Sequence, residues 1–321
     1  MLKPSDHFDG KLFFNPDGSS DKSLWDVYKW RRTSSPARWP LWVKNIATPD
    51  IATTVPPNTA VITFINHATV LVQLPGFNFL TDPVWSNRVS PFRWAGPQRI
   101  RAPGVDFDHL PPIHAVLVSH NHYDHLDIET LTRLESRFSP HFFVAWGDRD
   151  LLIKNGLKKV TQMDWWQQEQ PIIGVHVTFV PARHWSARTF FDKRKSLWGG
   201  FVVRQNSRQF YYAGDSGYGP HFKQINARLG DLDLALLPIG AYEPRWFMRE
   251  SHMNPQEAVQ AHLDLQAKTS MAVHYGTFQL MDEGLETPVQ ELKKAMLEIA
   301  LTESQFWVLN EGETRRLNLK E

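Results

Sequence analysis

The segment that decides the fold is Ser119-His120-Asn121-His122-Tyr123-Asp124-His125. It holds three histidines and one aspartate within six residues, and it directly follows the apolar run of residues 114–119, which is typical of a buried strand. In an extended loop, His120 and His122 point the same way because side chains alternate with a period of two. Imidazole and carboxylate groups together suit zinc and related divalent ions. The alternative is a merely polar loop with solvated histidines, but packing would then not explain why so many potential ligands lie together.

Three further residues of metal-binding type lie at the ends of later predicted strands: His184, Asp215 and His274. Loops at strand ends are where active sites of layered folds gather. Taken alone, Asp215 in its glycine-rich turn is more often part of a turn than a ligand. Beside the histidine cluster we favour ligation for all three. The sequence therefore predicts two divalent ions, with zinc expected and manganese or iron as alternatives.

The bulk composition excludes several classes of protein. The chain has 321 residues, 42% of them hydrophobic and 21% charged, with a net charge of +1, so no basic field favours nucleic acid. It has no cysteine, which excludes disulfides and thiolate zinc sites. Met1–Gly10 lacks the apolar run of a signal peptide, and no run of about 18 apolar residues follows. We expect a cytoplasmic protein, with peripheral contact on the inner face of the membrane as the alternative.

Predicted strands and helices alternate in two successions, which indicates two sheets with helices outside. Period-two and apolar runs predict strands, and Asp127 and Asn254 are typical helix N-caps. The predicted strands are Val61–Ile65, Thr69–Leu74, Phe77–Thr81, His114–Ser119, Val175–Pro181, Gly200–Arg204, Gln209–Ala213, Asp233–Pro238, Ser270–His274, Gln305–Leu309 and Thr314–Leu319. The predicted helices are Asp127–Arg137, Pro220–Leu229, one that begins at Asn254, and Pro288–Ala300.

Residues 1–58 differ in texture from the predicted globular domain, residues 59–321. The segment is rich in proline, and its tryptophans alternate with cations: Trp25, Trp30, Trp39 and Trp42 with Arg31, Arg32, Arg38 and Lys44. Aromatic rings and cations suit the lipid headgroup region, so one interpretation is a membrane-facing surface. We favour the other interpretation, an extension that wraps the core and buries its tryptophans.

Longer motifs carry a family resemblance that runs from about Ile62 to Glu313. They are D-P-V-W-S-N-R at Asp82–Arg88, L-P-P-I-H-A-V-L-V-S-H-N-H-Y-D-H-L-D at Leu110–Asp127, I-G-A-Y-E-P-R-W-F-M at Ile239–Met248, M-N-P-Q-E-A-V at Met253–Val259 and M-A-V-H-Y-G-T-F at Met271–Phe278. With the ligand order above, the chain resembles the metallo-β-lactamase superfamily. Within it, the chain is similar to N-acylphosphatidylethanolamine-hydrolysing phospholipase D and its bacterial relatives. The resemblance implies an α+β fold, an αββα sandwich of two mixed sheets packed face to face.

The resemblance also implies a division of labour among the site residues. One metal would be held by His120, His122 and His184, and the other by Asp124, His125 and His274, with Asp215 bridging them. The family has an active-site histidine that is not a ligand, which matches His252 here. Ser251 precedes it where the animal enzymes have a longer amide side chain.

A hydrolytic mechanism follows from the two-metal interpretation. Two divalent ions about 3.5–4 Å apart share a bridging water and lower its pKa toward about 7. We expect the hydroxide to attack the phosphorus of a phosphodiester, while Asp124 orients the water and His252 stabilises developing charge. Asp82 is expected to fix a ligand histidine from outside, or to cap the turn before Pro83. His67 is the other residue expected to support the ligands.

Substrate-binding residues are expected in the loop after the predicted strand Asp233–Pro238. Arg245 and Trp246 would bind a phosphate and an acyl chain, with packing as the alternative for Trp246. Tyr242 of the same motif is a third candidate.

Three functions remain open from the sequence. The first is a phospholipase D that releases N-acylethanolamine and phosphatidic acid, and the second is a soluble hydrolase of lactones, cyclic phosphodiesters or other small esters. Both need the same hydroxide, so the metal site does not separate them. The third is a non-catalytic metal-binding protein.

Overall fold

The computed structural model describes residues 2–18 and 22–319. Residues 1 and 19–21 of the predicted extension, and residues 320 and 321 of the predicted domain, lie outside the described part. Two seven-stranded sheets form its centre. The first sheet contains β1 (Thr59–Asn66), β2 (Thr69–Leu74), β3 (Phe77–Thr81), β4 (Ala115–Val118), β5 (His141–Ala145), β6 (Val160–Met163) and, at one edge, the strand Thr314–Asn318. The second contains β7 (Gln168–Ile172), β8 (Val175–Val180), β9 (Gly200–Gln205), β10 (Arg208–Tyr212), β11 (Leu234–Pro238), β12 (Ser270–Val273) and β13 (Phe306–Trp307); the edge strand Thr314–Asn318 is β14.

Both sheets are mixed in the same way. In the first, pairing is antiparallel from β14 through β1 and β2 to β3, and parallel from β3 through β4 and β5 to β6. In the second, it is antiparallel from β7 to β10 and parallel from β10 to β13. The carboxyl ends of parallel strands meet at one edge of a sheet, so each sheet offers one edge for a site.

Helices flank the sheets. Their bounds are α1 (Leu24–Thr33), α2 (Ile128–Phe138), α3 (Arg149–Lys154), α4 (His221–Leu229), α5 (Arg245–Met248), α6 (Pro255–Asp264) and α7 (Thr287–Glu298), with one 3-10 turn at Phe107–His109. The predicted α+β sandwich of two mixed sheets with outer helices is therefore confirmed. No helix in residues 2–18 and 22–319 has the length and apolar character needed to cross a bilayer.

Side chains of a strand alternate between its two faces, and strands of the sandwich are continuous apolar runs because both faces are buried. In β4, Ala115 and Leu117 join the core between the sheets, whereas Val116 and Val118 pack with Leu134 of α2 in the outer layer. All four β4 residues are buried. A strand covered on both faces has no polar side, so its sequence does not alternate.

The amino-terminal segment packs on the domain, although not through all of its tryptophans. Phe13 is 1% exposed and lies in the core between the sheets, but Trp25 and Trp42 are 69% and 56% exposed. The prediction that the segment buries its tryptophans is wrong for these two, and Trp30 and Trp39 are half-buried. With about 3.6 residues per helical turn, Trp25 lies on the other side of α1 from Trp30, which stacks on Phe247.

Asp127 caps α2, as predicted, and also fixes the loop after β3. Its carboxylate accepts hydrogen bonds from the backbone of Glu129 and Thr130 and from Ser86, and it is 8% exposed. It therefore connects the helix that follows the ligand segment to the loop that follows Asp82.

We predict that Asp127→Ala lowers the free energy of unfolding by about 2–3 kcal/mol, because the cap is lost and buried donors are left unpaired. Urea denaturation measures this loss. The control is Thr132→Ala in the same helix, whose hydroxyl bonds only to carbonyls of its own helix, with an expected change within about 0.5 kcal/mol. Equal losses in both variants would contradict the role of Asp127.

Candidate metal centre

The ligand segment is a tight loop between β4 and α2. The backbone N–H groups of His125 and Leu126 both donate to the carbonyl of His122, at 3.2 and 2.8 Å, which turns the chain back toward the strand. His120 and His125 are buried, while His122 and Asp124 are half-buried. The alternative of solvated histidines is thereby excluded for this loop.

Three imidazoles converge at one end of the cluster. His122 Nδ1 lies 2.9 Å from His120 Nε2 and 3.2 Å from His184 Nε2. Burial lowers the pKa of His122 to about 3 and that of His184 to about 4, and it lowers the pKa of His120 well below the usual value. Neutral imidazoles offer lone pairs, so this group fits a cation.

The second group surrounds the carboxylate of Asp124. Its Oδ2 atom lies 3.4 Å from His125 Nε2, 3.4 Å from His274 Nε2 and 3.2 Å from His67 Nε2. One ligand-type atom from each of these four residues lies within 4.8 Å of the others. The sequence assigned His67 a supporting role, but its position makes it a member of the group.

Asp215 lies between the two groups. Its Oδ2 atom is 3.2 Å from His125 Nε2, 3.8 Å from His184 Nε2 and 4.0 Å from His120 Nε2, and its Oδ1 atom is 3.2 Å from His274 Nε2. A carboxylate at this position can contact cations on both sides. Asp215 is 3% exposed, so water screens its charge little.

The donor set fits divalent metal. Among the buried atoms in the described residues that have no hydrogen-bond partner are Nε2 of His125, Nε2 of His274 and Oδ1 of Asp215. Burial acts to lower the pKa of His274, yet Asp215 and Asp124 raise it to about 9. The two carboxylates thus favour positive charge at this point, and a metal cation bound here would supply it in place of protons.

The Nδ1 atoms of three ligand-type histidines are engaged by neighbours, which leaves their Nε2 atoms for the cluster. His184 Nδ1 donates to the carbonyl of Ser251 at 2.9 Å. His125 Nδ1 lies 2.5 Å from Asp82 Oδ2, and His120 Nδ1 lies 2.9 Å from the hydroxyl of Ser119. Such outer partners fix ring orientation and tautomer.

Asp82 organises these outer partners. Besides His125, it accepts hydrogen bonds from the Ser119 backbone at 2.7 Å, from the Ser119 hydroxyl at 2.5 Å and from the Tyr212 hydroxyl at 2.5 Å. The sequence predicted that Asp82 either fixes a ligand histidine or caps a turn. It did not indicate a role for Ser119 or Tyr212. Their positions at the ends of predicted strands were the available signal.

A cavity of about 460 Å³ opens onto the cluster. Its lining includes His122, Asp124, His184, Asp215 and His252. Nδ1 of His252 is 3.9 Å from Asp215 Oδ2 and has no hydrogen-bond partner in the described part of the chain. This places His252 beside the ligand groups with a free ring nitrogen, and the volume is that of a small-molecule site.

The three predicted substrate-binding residues do not line this cavity. Arg245 donates to the His252 carbonyl at 2.8 Å and to Glu257 at 2.7 Å, so its guanidinium is already engaged. The Tyr242 hydroxyl donates to Glu291, and Trp246, 38% exposed, faces Lys29. Arg245 holds the backbone of His252 through its hydrogen bond to the carbonyl, and substrate contact by the three residues stays a prediction.

The sequence profile described as "Beta-lactamase superfamily domain" matches residues 77–275. The chain therefore belongs to the metallo-β-lactamase superfamily, and the sandwich and its cluster are those of a metal-dependent hydrolase. This family membership sets aside the non-catalytic alternative.

Within that class, relatives of this chain include two proteins that are named as phospholipases. The chain is 38% identical over 245 residues to N-acyl-phosphatidylethanolamine-hydrolyzing phospholipase D 1 of Caenorhabditis elegans, covering 73% of this chain and 69% of the relative. It is 36% identical over 224 residues to the mitochondrial enzyme of that name from Saccharomyces cerevisiae, covering 68% of this chain but only 48% of the relative. In fold it is similar to Igni18, a metallo hydrolase from Ignicoccus hospitalis, with a TM-score of 0.62, 21% identity and coverage of 82% and 100%.

We predict that Asp82→Asn weakens zinc binding about 10- to 100-fold, because the amide cannot accept all four hydrogen bonds of the carboxylate. Competition with a chromogenic chelator measures the affinity. The matched control is Asp264→Asn, since Asp264 also accepts a tyrosine hydroxyl, that of Tyr218, but lies outside the ligand groups. An unchanged zinc affinity in folded Asp82→Asn would contradict the role of Asp82.

Proposed function

We propose that the protein is a phospholipase D-type phosphodiesterase that hydrolyses N-acylphosphatidylethanolamine to phosphatidic acid and N-acylethanolamine. The observation that supports it best is the cavity, whose lining combines ligand-type residues with apolar side chains. The apolar side chains include Trp30, Val89, Phe247, Leu280 and Met281. A phosphodiester with hydrocarbon chains has the matching distribution of polarity. The similarity to the two named phospholipases supports the same substrate class.

The residues would take separate roles in this reaction. His120, His122 and His184 would hold one divalent ion, and Asp124, His125 and His274 the other, with Asp215 between them and zinc as the expected metal. Ions bound there supply Lewis acidity and an activated water.

His252 would stabilise charge on the phosphoryl oxygens or the leaving alcohol through its free ring nitrogen. Asp124, which lines the cavity, would orient the water. Residues 59–321 would form the hydrolase domain and residues 1–58 an extension on it, with the membrane surface as the place where the substrate is met.

A second candidate is a hydrolase of small soluble esters, lactones or cyclic phosphodiesters. The engagement of Arg245 by Glu257 favours the esters and lactones of this candidate, because the cation predicted to bind a phosphate does not line the cavity. The two candidates differ in products rather than in the metal centre.

Mass spectrometry of vesicles that contain N-acylphosphatidylethanolamine tests the proposal. With zinc-loaded protein we expect phosphatidic acid and N-acylethanolamine to appear, and to be lost when a chelator removes the metal. Vesicles of phosphatidylcholine alone serve as the control. An absence of both products from a protein that holds zinc would reject the lipid substrate and favour the second candidate.

His252→Ala and Asp215→Asn are expected to separate catalysis from metal binding. His252→Ala should lower kcat about 100-fold or more while the metal content is retained, since it removes a stabilising group and no ligand. Asp215→Asn should lower metal content and activity together. Elemental analysis beside the rate measurement distinguishes the two; loss of metal in folded His252→Ala would assign it to ligation instead.

A further inference from the structure

One wall of the catalytic cavity comes from outside the family domain. The superfamily profile matches residues 77–275, yet five residues of the amino-terminal segment line the cavity that opens onto the ligand groups. They are Phe14, Asn15, Lys22, Val27 and Trp30. The chemistry and part of the substrate enclosure are therefore supplied by different parts of the chain.

The segment is fastened at its start to the loop that holds a ligand. Asn15 Nδ2 donates to the carbonyl of His184 at 2.9 Å, and Asp17 pairs with Arg183 Nε at 2.7 Å. The buried Phe13 donates its backbone N–H to Arg194, which also lines the cavity. This part of the segment is thus fixed relative to the metal centre.

After α1 the segment is fastened to a second loop of the cavity wall. Ser34 Oγ donates to Asp282 Oδ1 at 2.6 Å, and Trp39 Nε1 donates to the carbonyl of Glu283 at 3.0 Å. Leu280 and Met281, directly before these acceptors, line the cavity. Because both ends are tied to cavity loops, α1 is held across the region between them.

The side of α1 that lines the cavity is apolar. Val27 and Trp30 are one turn apart, and the Trp30 ring stacks on Phe247 with centroids 5.2 Å apart and 11° between planes. Nε1 of Trp30 is buried without an acceptor among the described residues, so stacking fixes this ring. The opposite side exposes Trp25 and Tyr28, which stack on each other.

We propose that α1 is the specificity-determining element of the enzyme, and that Val27 and Trp30 bind the hydrocarbon chain of an amphipathic substrate whose anionic group lies at the metals. The apolar side of α1 and the ligand groups line the same cavity, which supports an amphipathic molecule as its occupant. The idea that the chain is an acyl group rests on the proposed function, but the binding of a hydrocarbon chain does not.

The test uses binding rather than turnover. Calorimetry of the zinc-loaded full chain compares dodecylphosphonate, below its micelle concentration, with methylphosphonate, which has the same anionic group and no chain. We expect the wild type to bind the dodecyl compound more tightly. Trp30→Ala should raise its Kd about tenfold and leave that of methylphosphonate unchanged, since only the apolar contact is lost.

Three variants make the comparison specific. Trp25→Ala, on the exposed side of the same helix, should leave both Kd values unchanged. Trp30→Phe should retain most of the dodecyl affinity, because an aromatic ring can still stack on Phe247. Val27→Trp should fill the cavity and weaken dodecylphosphonate more than butylphosphonate, and it tests the same wall if Trp30→Ala fails to fold. Thermal denaturation checks each variant.

Equal affinity of the wild type for the two phosphonates, or equal losses in Trp25→Ala and Trp30→Ala, would overturn the inference. A chain-length dependence that disappears in Trp30→Ala, in a protein that does not cleave N-acylphosphatidylethanolamine, would support it while rejecting the proposed lipid. The two failures are therefore distinguishable.

Discussion

The hydrogen bonds of the Asp82 carboxylate are the interactions on which the rest of the site depends. Asp82 lies directly after β3 of the first sheet, is 0% exposed, and accepts the Tyr212 hydroxyl from the end of β10 in the second sheet. A buried charge is tolerated only when its hydrogen bonds are satisfied, and this one is satisfied by groups from both sheets. The sheets are therefore fixed to each other directly beneath the ligands. Burial raises the pKa of Tyr212, which keeps its hydroxyl protonated as a donor.

The backbone around the ligands is conformationally costly. Positive φ angles, which residues other than glycine rarely adopt, occur at four positions. They are Asp82 at 30°, His67 at 43°, His274 at 62° and Ala241 at 60°. Next to them, a Cβ atom on Gly240 would lie 2.1 Å from the carbonyl of His274. Such strain persists only where surrounding contacts determine the conformation. Here those contacts are the two sheets and the Asp82 network, so the fold supplies the energy that positions the ligands.

The sequence predicted what depends on short-range pattern. The ligand segment, the strand ends that place Asp215 and His274, and the caps of α2 and α6 all have local signals. β7 has none, because Gln168–Ile172 is a polar edge strand that exists through pairing with β8. The partners of Arg245 were equally hidden: a guanidinium in a loop near a site suggests phosphate binding, and only tertiary structure brings Glu257 to it.

The function of helix α1 likewise could not be predicted from local sequence signals. Its capping box at Ser23 and Asp26 is a local signal, but its role depends on what it contacts. A metal centre activates water for many substrates, so a fold that is shared across a superfamily does not by itself select one. Selection requires a surface that varies independently of the ligands. Val27 and Trp30 lie in a segment outside residues 77–275 that is tied to the His184 loop on one side and the Asp282 loop on the other. These two side chains can therefore vary while the residues of the metal centre stay the same.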